Sequence, residues 1–258
     1  MKMVTSGDIY DFINVSAPFH TAMGFDNVGM LVGERQTPLS TVLLALDITS
    51  KVVQEAAQLG AELIISHHPV IFQPFRRMSP QDVPYLLAQF GIGAICAHTN
   101  LDFAPGGVNT CLAEALGLTN IEGLKPYGGD GLWEGLVGNL TQDLTPVAFA
   151  QYVKQSLFCA GLKYVDGGKA IKKVALCGGA GADLLEDAFH AGVDAFVTAD
   201  TKHHQLLLAQ ELGITLVDAG HFNTEDIVIL PLKNSLQEQF PTVHFEKSKV
   251  LCDPAQYL

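Results

Sequence analysis

The sequence predicts an α/β fold made of two related lobes, each built from alternating strands and helices. Three observations lead to this prediction: a high apolar content, short apolar runs that alternate with helical patterns, and recurrence of the same element order later in the chain. Hydrophobic residues make up 48% of the 258 residues and charged residues only 16%, against roughly 25% charged residues in an average soluble protein. We therefore expect extensive buried surface, either in sheets covered on both faces or in a subunit interface.

Five segments in the first half alternate between apolar runs typical of buried strands and patterns with apolar residues at helical spacing. They are residues 41–47, 50–59, 61–66, 79–90 and 92–97. Gly60 closes the first helical pattern, as left-handed C-terminal caps often do, and Gly91 introduces the last apolar run. The order strand–helix–strand–helix–strand predicts βαβ units and a parallel sheet.

The same order recurs in the second half, over residues 173–179, 182–191, 193–198, 202–212 and 214–219. The first three segments of each set align without a gap at an offset of 132 residues. The last segments, 92–97 and 214–219, align at an offset of 122, and one inserted residue then shifts the offset to 123, which aligns His98 with His221. We expect lobe one over about residues 1–125 and lobe two over about 126–258, divided at the glycine-rich segment Pro126–Asp130.

Charge and cysteine content restrict the classes of function. The net charge is −12 and the pI is near 5.0, so the chain lacks the broad basic surface that nucleic-acid binding needs, and that role is disfavoured. Five cysteines without a C-x-x-C pair are typical of reduced thiols in a cytosolic protein. We see no secretory signal and no apolar stretch of ~20 residues, so we expect a cytoplasmic protein that does not enter a membrane.

Histidines stand at the end of a predicted strand, where open α/β sheets place their binding sites. His67 and His68 follow the strand that ends at Ser66, and Pro69 favours a break in the strand there. Because neighbours within a strand point to opposite faces, only such a break lets both imidazoles turn to one site. We interpret the pair as metal ligands, the alternative being two partly exposed loop histidines.

The segments that begin at His98 and His221 share the pattern His-x-Asn-x-acid, with Asp102 and Glu225 as the acids. His221 and Glu225, four residues apart, would share one helix face. Either acid alone could be a plain charge in the first turn of a helix, but the repeat favours two acids brought together around shared ions. His98 has two interpretations, a metal ligand or a proton carrier that orients Asp102 or a bound water.

Imidazole nitrogens and carboxylate oxygens together suit Zn, Mn, Fe, Co or Ni, and two carboxylates can hold a second ion by bridging. The sequence therefore predicts two divalent metal ions in a site between the two lobes.

Two further clusters have weaker interpretations. Asp200, His203 and His204 follow a predicted strand, and we favour a helix-capping acid with histidines that face an interface or the substrate over a third metal site. The glycine-rich turn Gly178–Gly181 lacks the Lys-Ser/Thr of a P-loop and the full G-x-G-x-x-G spacing, which favours a tight turn over a phosphate cradle.

Four segments together resemble the NIF3-like family, also called GTP cyclohydrolase 1 type 2 homologues. They are Asp26–Gly33, Ser66–Pro69, His98–Asp102 and Gly220–Glu225. The resemblance runs from about Thr5 to the C-terminus. The chain departs from the family pattern at Phe25, where Trp is usual, and it lacks the domain that longer members insert between the lobes.

The resemblance implies one NIF3-like unit over residues 1–258, a dinuclear metal centre, and a homo-oligomer in the form of a toroidal hexamer, a trimer of dimers. It implies His98 close to the ions and Glu225 in contact with both. The implied ligands are His67, His68, Asp102, His221 and Glu225.

We expect a metal-dependent hydrolase, cyclohydrolase-like or phosphoesterase-like, in which two ions lower the pKa of a shared water. His98 would carry a proton, and His203 or His204 would contact a small nucleotide or phosphoester. The alternative is a non-catalytic metal-binding chaperone, store or regulatory adaptor with the same ligands. The sequence identifies neither the native metal nor the substrate.

Overall fold

The computed structural model describes residues 3–129 and 131–258, and this described part contains eleven strands and ten α-helices. The strands are β1 (Gly29–Val32), β2 (Thr41–Ala45), β3 (Leu63–Ser66), β4 (Gly93–Cys96), β5 (Thr119–Tyr127), β6 (Leu132–Leu144), β7 (Lys163–Val165), β8 (Ile171–Leu176), β9 (Ala195–Thr198), β10 (Thr215–Asp218) and β11 (His244–Lys247). The helices are α1 (Ser6–Ser16), α2 (Ser50–Leu59), α3 (Val83–Phe90), α4 (Thr99–Phe103), α5 (Val108–Ala115), α6 (Pro146–Ser156), α7 (Leu185–His190), α8 (His203–Leu212), α9 (His221–Glu225) and α10 (Ile229–Gln239).

The chain divides into two compact units, each with one sheet and its own helices. Unit one comprises residues 1–105 and 228–252, and unit two comprises residues 106–227 and 253–258. The sequence suggests a lobe boundary at Pro126–Asp130. The described part of this segment lies instead in a hairpin inside unit two, where Pro126 in β5 pairs with Trp133 in β6. Asp130 itself lies outside the described residues.

The sheet of unit one has the strand order β1-β4-β3-β2-β11. Strands β2, β3 and β4 are parallel, as their apolar runs predict, and their residues Leu43, Ile64 and Ala94 are buried. Val52 and Val53 of α2 belong to the same hydrophobic core cluster as these three strand residues. The sequence did not predict the two edges of the sheet, where β1 runs antiparallel to β4 and β11 runs parallel to β2.

The sheet of unit two has the strand order β5-β6-β8-β9-β10-β7. Strands β8, β9 and β10 are parallel, whereas β5, β6 and β7 join the sheet through antiparallel pairing. Phe196 on β9 is fully buried against Leu185 and Ala188 of α7. Each unit therefore has a parallel βαβαβ centre with antiparallel strands added at one edge or both.

The repeat in the sequence is also a repeat in strand register. In unit one Val42 pairs with Leu63, and residues 132 positions later, Val174 and Ala195, pair in unit two. Gly60, which caps α2, has a left-handed backbone with φ +68°, and its counterpart Gly192 has the same φ. The same arrangement of strands thus occurs twice, as the sequence predicts.

The carboxyl ends of neighbouring parallel strands bring the predicted site residues to one edge of each sheet. In unit one Ser66 pairs with Cys96, directly before the histidines at 67, 68 and 98. In unit two Thr198 pairs with Asp218, shortly before Asp200 and His221.

Among the described residues, no helix combines the length and the apolar character that crossing a bilayer requires.

Candidate metal centre

Unit one brings three imidazoles together beyond the ends of β3 and β4. The ring centroid of His67 lies 5.1 Å from the centroids of both His68 and His98, and the latter two are 5.5 Å apart. One ring nitrogen from each residue lies within 4.8 Å of the other two, a spacing that could hold a metal ion. His67 is buried and the other two are half-buried, so part of the cluster faces solvent.

The backbone turn after β3 allows two consecutive histidines to serve this cluster. The Ser66 hydroxyl donates to the carbonyl oxygen of His68 at 2.7 Å, and the His68 amide donates to the carbonyl of Leu46 at 2.9 Å. The Cys96 thiol donates to the carbonyl of His67 at 3.0 Å. These contacts fix the break in strand geometry that the sequence predicts at this point.

In all three rings the Nδ1 atom lies beside an oxygen that can only accept a hydrogen bond. The pairs are His67 with the Ala97 carbonyl (2.9 Å), His68 with Asp47 Oδ1 (2.7 Å) and His98 with Asp26 Oδ1 (2.9 Å). Nδ1 therefore carries the proton in each ring, and the lone pair of the neutral imidazole is on Nε2. Metal-binding histidines are commonly oriented in this way.

Asp102 reaches the cluster from α4. Its Oδ1 lies 3.5 Å from Nε2 of His67, and both atoms are shielded from solvent. Two ligand atoms at ~2.1 Å from one ion in a tetrahedral arrangement are ~3.4 Å apart, so this pair has the separation of ligands on a shared cation. Asn100 fixes the start of the helix, because its Oδ1 accepts from the His98 amide at 3.0 Å and its Nδ2 donates to the Ala17 carbonyl at 2.7 Å.

Asp26 accepts the hydrogen bond from Nδ1 of His98. It is the first residue of an Asp-Asn-x-Gly sequence, residues 26–29, within the segment Asp26–Gly33. The Thr99 hydroxyl and amide also donate to Asp26, at 2.6 and 3.1 Å. Burial on its own would raise the pKa of Asp26, but the hydrogen bonds from His98 and Thr99 outweigh it and lower the pKa to about 2. Asp26 therefore stays ionised at neutral pH and holds the Nδ1 proton of His98.

Unit two supplies an imidazole and a carboxylate on one face of α9, as the spacing of four residues predicts. Nε2 of His221 lies 2.9 Å from Oε2 of Glu225, and the Glu225 side chain is buried. Nδ1 of His221 lies 2.7 Å from Oδ2 of Asp200. The His221 ring is thus oriented by a carboxylate in the same way as His68 and His98.

The contacts of His221 change its acidity. The hydrogen bond to Glu225 is the largest influence, and together with Asp200 it overcomes burial and raises the pKa of His221 to about 9. Without a metal ion the ring is therefore protonated at neutral pH and forms an ion pair with Glu225. A metal ion that binds Nε2 must displace this proton.

Asp200 is not the helix-capping acid that the sequence suggested. The N-cap of α8 is Lys202, two residues further along, and Asp200 instead contacts His221. Its backbone is left-handed, with φ +52°. At the repeat offset of 132, Asp200 corresponds to His68, so equivalent positions contribute a carboxylate in one unit and an imidazole in the other.

The glycine-rich turn after β8 makes room for Glu225. A side chain at Gly179 would overlap the Glu225 carboxylate, and the left-handed φ of +60° also disfavours any other residue there. The Gly179 amide donates to the Thr224 hydroxyl at 3.0 Å. The predicted tight turn therefore leaves the space that the Glu225 carboxylate of α9 occupies.

His203 and His204 lie in the first turn of α8, and both are exposed. Neither belongs to the groups of candidate metal ligands found among the described residues. Their contact with a substrate stays a prediction.

Sequence comparisons match nearly the whole chain to known proteins. The model of the family described as Duf34/NIF3 (NGG1p interacting factor 3) matches residues 4–254. A Clostridium perfringens protein named GTP cyclohydrolase 1 type 2 homolog is 36% identical over 263 aligned residues, which cover 97% of this chain and 98% of the relative. A protein of the same name from Clostridium acetobutylicum is 32% identical, with 88% of each chain covered.

Solved structures show the same fold. The Bacillus cereus protein related to NIF3 superposes with a TM-score of 0.94 at 27% identity, and all of both chains is covered. Staphylococcus aureus hypothetical protein SA1388 gives a TM-score of 0.92 at 29% identity, again over all of both chains. Reduced HcgD from Methanocaldococcus jannaschii gives 0.83 at 26% identity, covering 96% of this chain and 99% of that one. The fold, the family model and the relatives agree, and the chain belongs to the DUF34/NIF3 family.

Proposed function

We propose that this protein is a metal-dependent hydrolase with a dinuclear metal centre. One observation carries the proposal: each unit presents an imidazole Nε2 beside a carboxylate, with Nδ1 of the same ring held by an acceptor. The repeated His-x-Asn-x-acid pattern supports a matched set of ligands in each unit. The proposed ligands are His67, His68, Asp102, His221 and Glu225.

The residues of each unit fit such ions chemically. Neutral imidazoles with carboxylates are the ligands that Zn, Mn, Fe, Co and Ni accept. The separation of 3.5 Å between Nε2 of His67 and Oδ1 of Asp102 suits a pair of ligands on one ion. Nε2 of His221 and Oε2 of Glu225, 2.9 Å apart, share a proton that an ion would replace. Acceptors on Nδ1 raise the basicity of the ligating nitrogen and keep each ring in place.

When bound, two ions would lower the pKa of a shared water and provide a hydroxide nucleophile near neutral pH. Residues of the chain would carry out the proton transfers. His98 carries a proton on Nδ1 that Asp26 holds, so its Nε2 is available to take a proton from water or return one to a leaving group. The buried carboxylate of Asp26 stabilises the imidazolium that forms. The substrate class we propose is a small nucleotide or phosphoester.

Turnover by metal-reloaded protein tests the proposal. The protein is stripped with a chelator, reloaded with Mn, Zn or Fe, and assayed against a panel of nucleotides and phosphoesters. The Glu225→Gln variant removes one ligand charge, and Glu238→Gln, at an exposed position of α10, is the matched control. Metal-dependent turnover in the wild type and in the control, but not in Glu225→Gln, supports a hydrolase. Turnover that is equal in all three proteins would defeat the catalytic claim.

A metal-binding chaperone or regulatory adaptor is the second candidate, and the exposure of the ligands favours it. The side chains of His68 and His221 are 20% and 35% exposed, which allows exchange of ions with solvent. The rate of metal release separates the two candidates: slow release with turnover supports the enzyme, and fast release without turnover supports the carrier.

We further propose that the chain works in the cytoplasm as the toroidal hexamer that the family resemblance implies. Five free cysteines are consistent with a reducing compartment. Light scattering tests the assembly, since a hexamer has about six times the 27.7 kDa mass of the chain.

A further inference from the structure

A polar network in unit two holds the strained backbone of Asp200. Asp200 has a left-handed φ of +52°, and a residue other than glycine keeps such a conformation only when the surrounding structure fixes it. The residue that follows, Thr201, is buried. Its amide, its hydroxyl and its carbonyl all form hydrogen bonds with side chains. The peptide after Asp200 is therefore fixed at each of its polar groups.

Asp218, the last residue of β10, accepts two of these hydrogen bonds. Its Oδ2 accepts from the amide and from the hydroxyl of Thr201, both at 2.8 Å. Its Oδ1 accepts from the amide of Gly220 at 3.2 Å, and Gly220 is the N-cap residue of α9, directly before His221. One buried carboxylate thus binds the residue after Asp200 and the residue before His221. The contact between Asp200 and His221 joins two loops, and Asp218 holds both of them.

Lys163 completes the network from the edge strand β7. Lys163 and Asp218 are partners in the antiparallel register of β7 and β10. Nζ of Lys163 lies 3.2 Å from Oδ2 of Asp218 and donates to the carbonyl of Thr201 at 3.0 Å. The ammonium group compensates a carboxylate that would otherwise be costly to bury. We call Lys163, Thr201 and Asp218 the Asp218 network.

The corresponding positions of unit one are built differently. At the repeat offset of 132 residues, Thr201 corresponds to Pro69, which has no amide hydrogen and no hydroxyl to donate. His68, the counterpart of Asp200, does not have a left-handed φ. The strained residue and the network that fixes it therefore occur together in unit two, where the oriented imidazole depends on a carboxylate in an unfavourable conformation.

We infer that the three residues of the Asp218 network are positioning residues for the proposed metal ligands of unit two. They hold Asp200 against Nδ1 of His221 and thereby keep Nε2 of that ring turned toward Glu225. They act through Asp200, and their contribution is to fix a ligand in the geometry that metal binding requires. The inference rests on the proposed function and deepens it, because it assigns the orientation of one set of ligands to residues outside that set.

Removal of a single hydroxyl tests the network with little change of shape. Thr201→Val is close to isosteric and deletes the hydroxyl donor to Asp218, whereas Thr201→Ser keeps that donor. The matched control is Thr215→Val. Thr215 is fully buried at the start of β10, at the opposite end of the strand from Asp218, and its hydroxyl accepts from the Gly167 amide at 3.1 Å. Asp218→Asn, which removes the charge, is a second and stronger variant.

The first measurement uses the metal-free, full-length protein. The Nδ1 proton of His221 is hydrogen-bonded to Asp200 and should give a downfield resonance in NMR spectra of protein with isotope-labelled histidine, which His221→Gln assigns by its loss. We expect this resonance to move upfield or to exchange with water in Thr201→Val and Asp218→Asn, because Asp200 is then free to turn away. It should keep its wild-type position in Thr201→Ser and Thr215→Val.

The second measurement is zinc affinity, determined by competition with a chelator. We expect a loss of roughly tenfold in Asp218→Asn and of about threefold in Thr201→Val, at or below the lower end of the effect of a residue that contacts a ligand directly. Thr201→Ser and Thr215→Val should bind zinc like wild type. Circular dichroism melting curves show which variants are folded, and if Asp218→Asn does not fold, Thr201→Val decides.

The inference is overturned if the His221 resonance and the zinc affinity of Thr201→Val match those of wild type. It is also overturned if Thr215→Val changes both to the same extent, since the effect would then be one of general stability. A displaced His221 resonance in Thr201→Val, with no metal-dependent turnover in any of the proteins, defeats the proposed function alone. A wild-type resonance in Thr201→Val, with metal-dependent turnover in the wild type, defeats this inference alone.

Discussion

Oδ2 of Asp200 lies 2.7 Å from Nδ1 of His221, and Asp200 makes this contact from a left-handed backbone with φ +52°. That conformation costs a residue other than glycine on the order of 1–3 kcal/mol, although Asp and Asn tolerate it better than most. The strain is consistent with a residue placed to hold the His221 ring, so that Nε2 faces Glu225.

Removal of the Asp200 carboxylate should therefore weaken metal binding. We expect Asp200→Ala to lower the affinity by roughly 10–100-fold, as measured by chelator competition. Asp200→Asn should retain most of the affinity, because its amide oxygen accepts the same hydrogen bond and Asn tolerates the backbone. Asp200→Gly relieves the strain yet should still bind weakly. Wild-type affinity in Asp200→Ala would refute the positioning role.

A methyl group at Gly179 should abolish the binding of one ion. It would overlap the Glu225 carboxylate, so we expect the metal content of Gly179→Ala to fall by about one equivalent per chain relative to wild type in elemental analysis. Gly192→Ala is the matched control, since Gly192 has a similar left-handed φ and a Cβ there would meet no described atom within 4 Å. The control should lose about 1 kcal/mol of stability and no metal. Equal metal content in both variants would contradict the prediction.

Lowering the pH should remove the stabilisation that the ionised Asp26 side chain gives to the folded protein. Its pKa in the folded protein is about 2, below the ordinary value of 3.8, so the contribution is complete above about pH 4 and is lost as the pH falls toward 2. With its side chain fully buried, the shift corresponds to about 2 kcal/mol. The difference in unfolding free energy between wild type and Asp26→Asn should shrink from pH 5 to pH 2 in urea titrations. A constant difference would show that ionisation of Asp26 does not contribute.

Metal affinity should rise with pH below about 9. His221 has a pKa of about 9 without metal, and an ion must displace the proton from Nε2, so this residue alone weakens apparent affinity up to tenfold for each pH unit below that value. Zinc titrations at pH 6.5, 7.5 and 8.5, corrected for the chelator, measure the slope. His221→Gln should bind more weakly and with a shallower slope. The same slope in both proteins would assign the proton to another ligand.

The centre of each sheet could be predicted from the sequence, but the edges could not. Strands β2 to β4 and β8 to β10 are largely buried, so each contains a short apolar run, and these runs recur later in the chain in the same order. The hairpin β5–β6 and the edge strand β11 mix polar and apolar residues, because one or more of their faces stay exposed. Their positions depend on pairing with distant strands, which a local pattern does not reveal.

The imidazoles and the acids of the candidate centre could be predicted because they directly follow apolar strands. The role of the carboxylates that orient the imidazoles was missed. Asp47 contacts His68 and Asp200 contacts His221 across the same separation of 21 residues, one strand–helix–strand unit. An acid after one parallel strand and a histidine after the next is the signal that would have found both. Asp26 contacts His98 across 72 residues, and only its Asp-Asn-x-Gly segment marked it.

The return of residues 228–252 to unit one and of residues 253–258 to unit two makes both bodies discontinuous along the polypeptide. No single cut separates them, and a fragment that ends at Pro105 would lack β11, the neighbour of β2. Loss of residues 228–258 would remove β11 from unit one and Tyr257, which packs on Gly161, from unit two. Residues 228–258 therefore contribute to both units, although the central strands of the two units are close copies of each other.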